Sequence, residues 1–173
     1  VIRRRRPSAL ALAVLLPLAA VTVSSCATFD NQRVASVNER ELDQDELTQI
    51  LDDPLSQQLL RTTPIAGQVS GSGARGVVST WILVEAADEA GFITQPLLDQ
   101  AKGFFDEQVP DEFAAAPAVA QSLLLRLTAA QVGLDSGEYS FDEIVLAAAD
   151  DDVTVDSLYG VWDDEVASVV PMR

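Results

Sequence analysis

The sequence predicts a mainly α domain with a short β pair joining its N- and C-terminal segments, and an export signal in front of it. Three observations predict this. Apolar residues recur at helical spacing in four stretches after residue 42, several opened by a capping residue. β-prone runs stand near the two ends of that region: Arg33–Val37 on one side, Val153–Val155 and residues 166–170 on the other. The chain opens on four arginines, then an uncharged apolar run, then small residues and its single cysteine.

Taken in order, Arg3, Arg4, Arg5 and Arg6 form a basic cluster, and residues 9–23 carry no charge. That run is about 15 residues, or roughly 22 Å of helix, against roughly 30 Å of bilayer hydrocarbon. It is too short to span and suits the apolar region of a signal peptide. Val23-Ser24-Ser25-Cys26 follows and resembles the lipobox of bacterial lipoproteins, where an aliphatic and two small residues precede the lipidated cysteine. Residues 1–25 are therefore expected to be a signal peptide, Cys26 the lipidation site, and residues 26–32 a tether. The implied location is the extracytoplasmic face of the cell membrane, held by acyl chains that each contribute about 0.8 kcal/mol per buried methylene. The arginine run also suggests twin-arginine export. Pro7 and Ser8 follow it instead of a bulky apolar pair, which ranks that route second.

Residues 33–173 make the domain. Arg33–Val37 alternates and is β-branched, a strand; Asn38 and Glu39 then turn the chain. Asp43 with Glu46 is a capping box, and Leu42, Leu47, Ile50 and Leu51 give the next helix one apolar face. Asp53-Pro54 breaks it, with a continuation after a kink. Residues 64–76 are polar and glycine-rich, a flexible loop. Residues 77–90 form an apolar helix stopped by Gly91; Thr94 caps the next, with Pro96 in its first turn. Residues 114–132 are the fourth apolar helix, ended by Gly133. Ser140 and Glu143 box a short helix reaching Ala149, before the β-prone end.

The chain has 27 acidic residues, 11 basic ones and no histidine. Without the four signal-peptide arginines, 7 basic residues face the 27 acids, a formal charge of −20. That excludes nucleic acid as a partner, since phosphates are bound by Lys and Arg. The missing histidine excludes His-based acid–base catalysis and His-ligated metals. The lone thiol leaves no disulfide and no cysteine cage. No cofactor or metal is expected.

Two motifs tempt. Gly71-Ser72-Gly73-Ala74-Arg75-Gly76 spells a dinucleotide fingerprint, but no strand precedes it and no second strand follows with a ribose-binding acid. It reads as loop. Asp150, Asp152, Thr154 and Asp156 alternate like a calcium loop, yet Val155 stands at the glycine position and Val161 at the final glutamate. A solvated acidic turn is the better reading.

A family resemblance rests on three further stretches. Ala35-Ser36-Val37-Asn38, Leu42 and Glu46-Leu47 resemble the opening of SurA-type chaperone domains. Residues 83–94 resemble their helix-Gly-apolar-x-Thr hinge, and residues 155–162 resemble the Tyr-Gly-x-Trp ending of small SurA-N-like lipoproteins of high-G+C Gram-positive bacteria. The resemblance covers roughly residues 34–170. Ser157 stands where that ending often has Pro, and the chain has neither a parvulin segment nor the histidines of the family's isomerase sites. What the resemblance implies is a non-catalytic, SurA N-like helical domain binding unfolded or exported polypeptides. The contrary expectation is an adaptor lipoprotein docking one protein. Trp81, Phe92, Phe104 and Phe105 are the candidate peptide-binding residues, although an apolar helix stripe is core for most of its members.

Overall fold

The structure, a computed structural model, describes residues 33–62, 64 and 70–172. The expected signal peptide, Cys26, the tether at 26–32 and residues 65–69 of the expected loop lie outside these residues. The described residues belong to one compact unit, Asn31–Arg173.

Strand β1 (Arg33–Val37) lies at the centre of a three-stranded antiparallel sheet. On one side it pairs with β2 (Arg40–Asp43), Val37 opposite Arg40. On the other it pairs with β3 (Val153–Val155), Ser36 opposite Thr154. The second pairing is the expected closure of the two ends of the domain. The first corrects the sequence reading, in which Leu42 lay on the apolar face of the next helix; it is instead a buried strand residue. Arg40-Glu41-Leu42-Asp43 has weak β propensity; its pairing with a fully buried neighbour decides. Asn38 makes the two-residue turn possible at φ 49°, a left-handed conformation that asparagine tolerates.

Seven helices occur among the described residues: α1 (Gln44–Asp52), α2 (Pro54–Leu59), α3 (Gly71–Glu89), α4 (Gln95–Gln108), α5 (Pro110–Ala115), α6 (Ala118–Ser136) and α7 (Phe141–Asp150). The mainly α class and the short joining β pair are therefore as expected. The Asp43–Glu46 capping box opens α1, and Asp53 accepts from the Ser56 N–H to start α2 behind Pro54. A second two-stranded sheet, β4 (Val161–Asp163) with β5 (Ser168–Val170), ends the chain. Val166 lies in its turn instead of a strand.

Two helix boundaries differ from the sequence reading. Residues 71–76 are not loop but the first turns of α3, because Ser70 caps them through the Gly73 N–H (3.1 Å) and Ala74 is buried. Each glycine there costs about 1 kcal/mol relative to alanine, and burial of Ala74, Val77 and Val78 outweighs it. Gly133 does not end α6. The helix runs on to Ser136 and is ended by Gly137 at φ 73°. Gly133 is instead the seat of the Tyr139 ring: an added Cβ would meet the tyrosine oxygen at 2.4 Å.

α3 is buried on nearly every side, including Val77, Val78, Trp81, Ile82, Val84 and Ala86. It packs against β1, α1, α6, α7 and β5, so it is the axis of the core. Fully buried side chains of this size stabilise by about 1.5–3 kcal/mol each. Ser79 fastens the C-terminal end to this axis: its hydroxyl donates to the Arg75 carbonyl (2.8 Å) and accepts from the Val169 N–H (2.8 Å). A second small cluster of Leu55, Phe105 and Leu124 joins α2, α4 and α6.

Candidate functional site

Two polar residues interrupt the apolar runs of α3 and α6, and the fold brings them together. Glu85 is 3% exposed and receives both guanidinium arms of Arg126, at 2.5 and 2.6 Å. Asp88, one turn on, lies 3.5 Å from Arg126 and 3.4 Å from Arg40 of β2. Desolvation pulls the Arg126 pKa down; the hydrogen bonds and charge of Glu85, with Asp88 behind them, outweigh it and hold the guanidinium above its ordinary range. A cavity of about 360 Å³ adjoins the network, with Trp81, Glu46 and Ser122 in its wall. Both Glu85 oxygens are engaged, so this cluster ties β2, α3 and α6 together. Sequence reasoning missed it. The available signal was a glutamate and an arginine inside otherwise apolar helices.

A different surface is apolar and open. α3, α6 and α7 border a cleft of about 240 Å³, walled by Leu83, Val84, Leu127, Leu134, Phe141 and Ile144. Its geometry follows from the segment before α7. The Tyr139 hydroxyl donates to the Ala130 carbonyl (3.0 Å) while its ring sits over Gly133, pinning the start of α7 against α6. The Ser140–Glu143 capping box then starts the helix. Its hydrogen bonds, from the Ser140 backbone and then the hydroxyl, lower the Glu143 pKa, and burial raises that of Tyr139 with Glu138 adding to it. Phe141, first in the helix, stands at the lip of the cleft and is 51% exposed. Leu146 on the same helix is 65% exposed. Phe141 was missed because it shares the helical face of buried Ile144 and Ala148; Leu146 was legible as a large apolar residue off that face.

The four aromatic candidates do not form one groove. Trp81 and Phe105 are core, 4% and 0% exposed. Phe105 stacks on Phe113 at 4.2 Å. Phe92 is half-buried and stacks on Tyr139 at 5.0 Å, and Phe104 lies exposed, edge-on to Phe105. Apolar side chains on helices that face several neighbours were drawn inward, leaving only Phe104 open.

The two tempting motifs have structural places. The glycine fingerprint is the first turns of α3, and every strand pair among the described residues is antiparallel, unlike a dinucleotide-binding unit. Asp150 ends α7, and Thr154 sits in β3 with its hydroxyl 2.6 Å from that of Ser36. No group of three His, Cys, Asp or Glu side chains among the described residues is placed to hold a metal ion. No helix among them is long and apolar enough to cross a membrane. No family model, curated protein or solved structure matches the chain.

Proposed function

We propose that this chain is a lipoprotein anchored through Cys26 at the extracytoplasmic face of the membrane, whose helical domain binds exposed apolar segments of unfolded or exported polypeptides without catalysis. The observation that carries the reading is the apolar α3–α6–α7 cleft with half-exposed Phe141 at its lip. A cleft of this size takes one or two apolar side chains. Holding an extended client costs ordering entropy, so affinity of micromolar order, about −8 kcal/mol, is expected. The charge of −20 favours basic or neutral clients and keeps the complexes soluble. The SurA-like stretches support the same reading.

The test is suppression of aggregation of several unrelated denatured proteins by residues 27–173, with Phe141→Asp as the comparison. Protection should be broad and should fall with the variant. No protection at several-fold excess sinks the proposal. Separately, a Cys26→Ser variant should leave the membrane fraction or accumulate unprocessed. An unmodified Cys26 thiol in mature protein would overturn the anchor.

The adaptor reading has its own observation. Leu158, Val161, Val166 and Met172 are large, apolar and exposed on or beside the β4–β5 hairpin. Capture of one folded protein, lost on Val161→Asp and indifferent to Phe141→Asp, would favour it.

A further inference from the structure

We propose that the end of the domain where the tether enters rests on the lipid bilayer, with Leu158, Val161, Pro171 and Met172 set at the boundary of headgroups and acyl chains. The proposal rests on the Cys26 anchor proposed above and adds a second, non-covalent contact that fixes which way the domain faces.

Successive contacts place these residues beside the start of β1. The Val34 carbonyl accepts from the Asp156 N–H (2.8 Å), and the Asp156 carbonyl accepts from the Gly160 N–H (3.3 Å). Gly160 in turn abuts the Val170 carbonyl oxygen, which an added Cβ would meet at 2.1 Å. The 156–160 turn and the end of β5 therefore lie at the end of the sheet where Arg33 begins it. Tyr159 fixes the turn there, its hydroxyl donating to the Gln44 side chain (2.5 Å). Leu158, in the same turn, is 76% exposed. Val161, Pro171 and Met172 are exposed too, and with half-buried Val170 and one carboxylate, Asp163, they line a single shallow depression. Apolar side chains of this kind gain by leaving water.

Charge is distributed to suit this orientation. The Asn38 N–H donates to the Asp152 carbonyl (3.0 Å), so Asp151 and Asp152 stand at the opposite end of β1. The β4–β5 turn carries Asp164 and Glu165 the same way, because Val161 pairs with Val170 near the tether and Asp163 with Ser168 farther from it. Asp164 lines one cavity with Asp151 and Asp152. Val166, exposed as well, sits in that acidic turn. At the tether end Arg33 pairs with Glu41 (3.0 Å), and the Asp156 carboxylate accepts from the Leu158 N–H (2.8 Å). The chain from Cys26 to Arg33 spans seven residue steps, at most about 25 Å when extended. The end that faces the bilayer is therefore the one that carries Leu158. On so short a tether the contact is intramolecular, at an effective concentration of millimolar order. A few apolar side chains then suffice where they would not hold a free protein.

The experiment uses the mature lipoprotein, purified with its lipid and reconstituted into phosphatidylcholine vesicles. Cys26 is the chain's single cysteine and is consumed by the anchor, so Leu158→Cys and Val166→Cys each offer one thiol to an environment-sensitive dye. Nitroxide-labelled lipid should quench the dye at 158 several-fold more strongly than the dye at 166, and Val161→Asp with Met172→Asp should abolish the difference. Anionic lipid should weaken the contact at low salt, and added salt should restore it. Amide exchange of the unaltered lipoprotein should be slower at residues 157–161 on vesicles than in the lipid-free domain, which reads the same contact without a substitution. Equal quenching at both positions, in protein that floats with the vesicles, overturns the contact and leaves the anchor intact. So does a dye at 158 that stays exposed on vesicles and is covered only in native membranes, which gives the face to a protein partner. Protein that does not float with the vesicles overturns both.

Discussion

The interface of α3 with α6 and the gap between β3 and β4 treat buried polar atoms in opposite ways. In the first, Glu85 is buried and both its oxygens meet Arg126, with Asp88 and Arg40 completing the network. In the second, Asp151 keeps one oxygen unpaired and Trp162 an unpaired N–H, beside an open strand edge. Satisfied polar networks rigidify a fold; unsatisfied buried groups carry a desolvation cost. The difference separates polar atoms that the fold satisfies from two that it leaves unpaired.

The comparison can be broken most sharply at Arg126. Arg126→Ala leaves Glu85 charged, buried and without its bidentate partner, and should destabilise by about 3–5 kcal/mol. Thermal or denaturant unfolding reads this, and Glu85→Leu with Arg126→Met should recover most of it. A loss below 1 kcal/mol for the single variant would mean the network holds little.

The glycines sharpen it next. Gly160 has φ 137°, and an added Cβ would lie 2.1 Å from the Val170 carbonyl oxygen, a backbone atom that cannot step aside. Gly160→Ala should cost about 2–3 kcal/mol and disturb the β4–β5 pairing. At Gly133 the obstacle is the Tyr139 side chain, which can yield, and alanine is the better helix former. Gly133→Ala should cost about 1–2 kcal/mol net. Amide exchange should report opening near β5 in the first variant and near the start of α7 in the second.

A smaller effect concerns pH. Hydrogen bonds from the Ser140 backbone and hydroxyl lower the Glu143 pKa. A lowered carboxyl contributes stability that is fully present above the unfolded value, about 4.3, and is lost as pH falls through the folded value. Carbon-detected titration should find Glu143 ionising below ordinary glutamates, and Ser140→Ala should return it toward them. The smallest change is expected at Trp162. Its N–H makes no bond within the domain, so Trp162→Phe loses only ring packing against the core and should cost no more than about 1 kcal/mol. A large loss there would remove the contrast between the two regions.

The sequence by itself determined the features that depend on neighbours a few residues away. The capping boxes at Asp43 and Ser140, the proline after Asp53 and the β-branched run of β1 need only local hydrogen bonds and backbone preferences. It also pointed to closure of the N-terminal strand onto the β-prone C-terminal end, and the fold decided that Val153–Val155, not residues 166–170, is the run that pairs. The tertiary structure alone decided the rest. β2 became a strand through pairing that its charged residues do not advertise, and α3 began at Gly71 because burial exceeded the cost of its glycines. Gly133, spaced like a helix end, turned out to be where the Tyr139 ring packs onto α6, with no room for a Cβ. Which aromatics stay open is the clearest case: Phe105 and Phe141 look alike along their helices, and one is fully buried while the other is half-exposed. Periodicity gives the face of a helix, whereas the length and placement of the neighbouring helices decide how far along that face the cover extends.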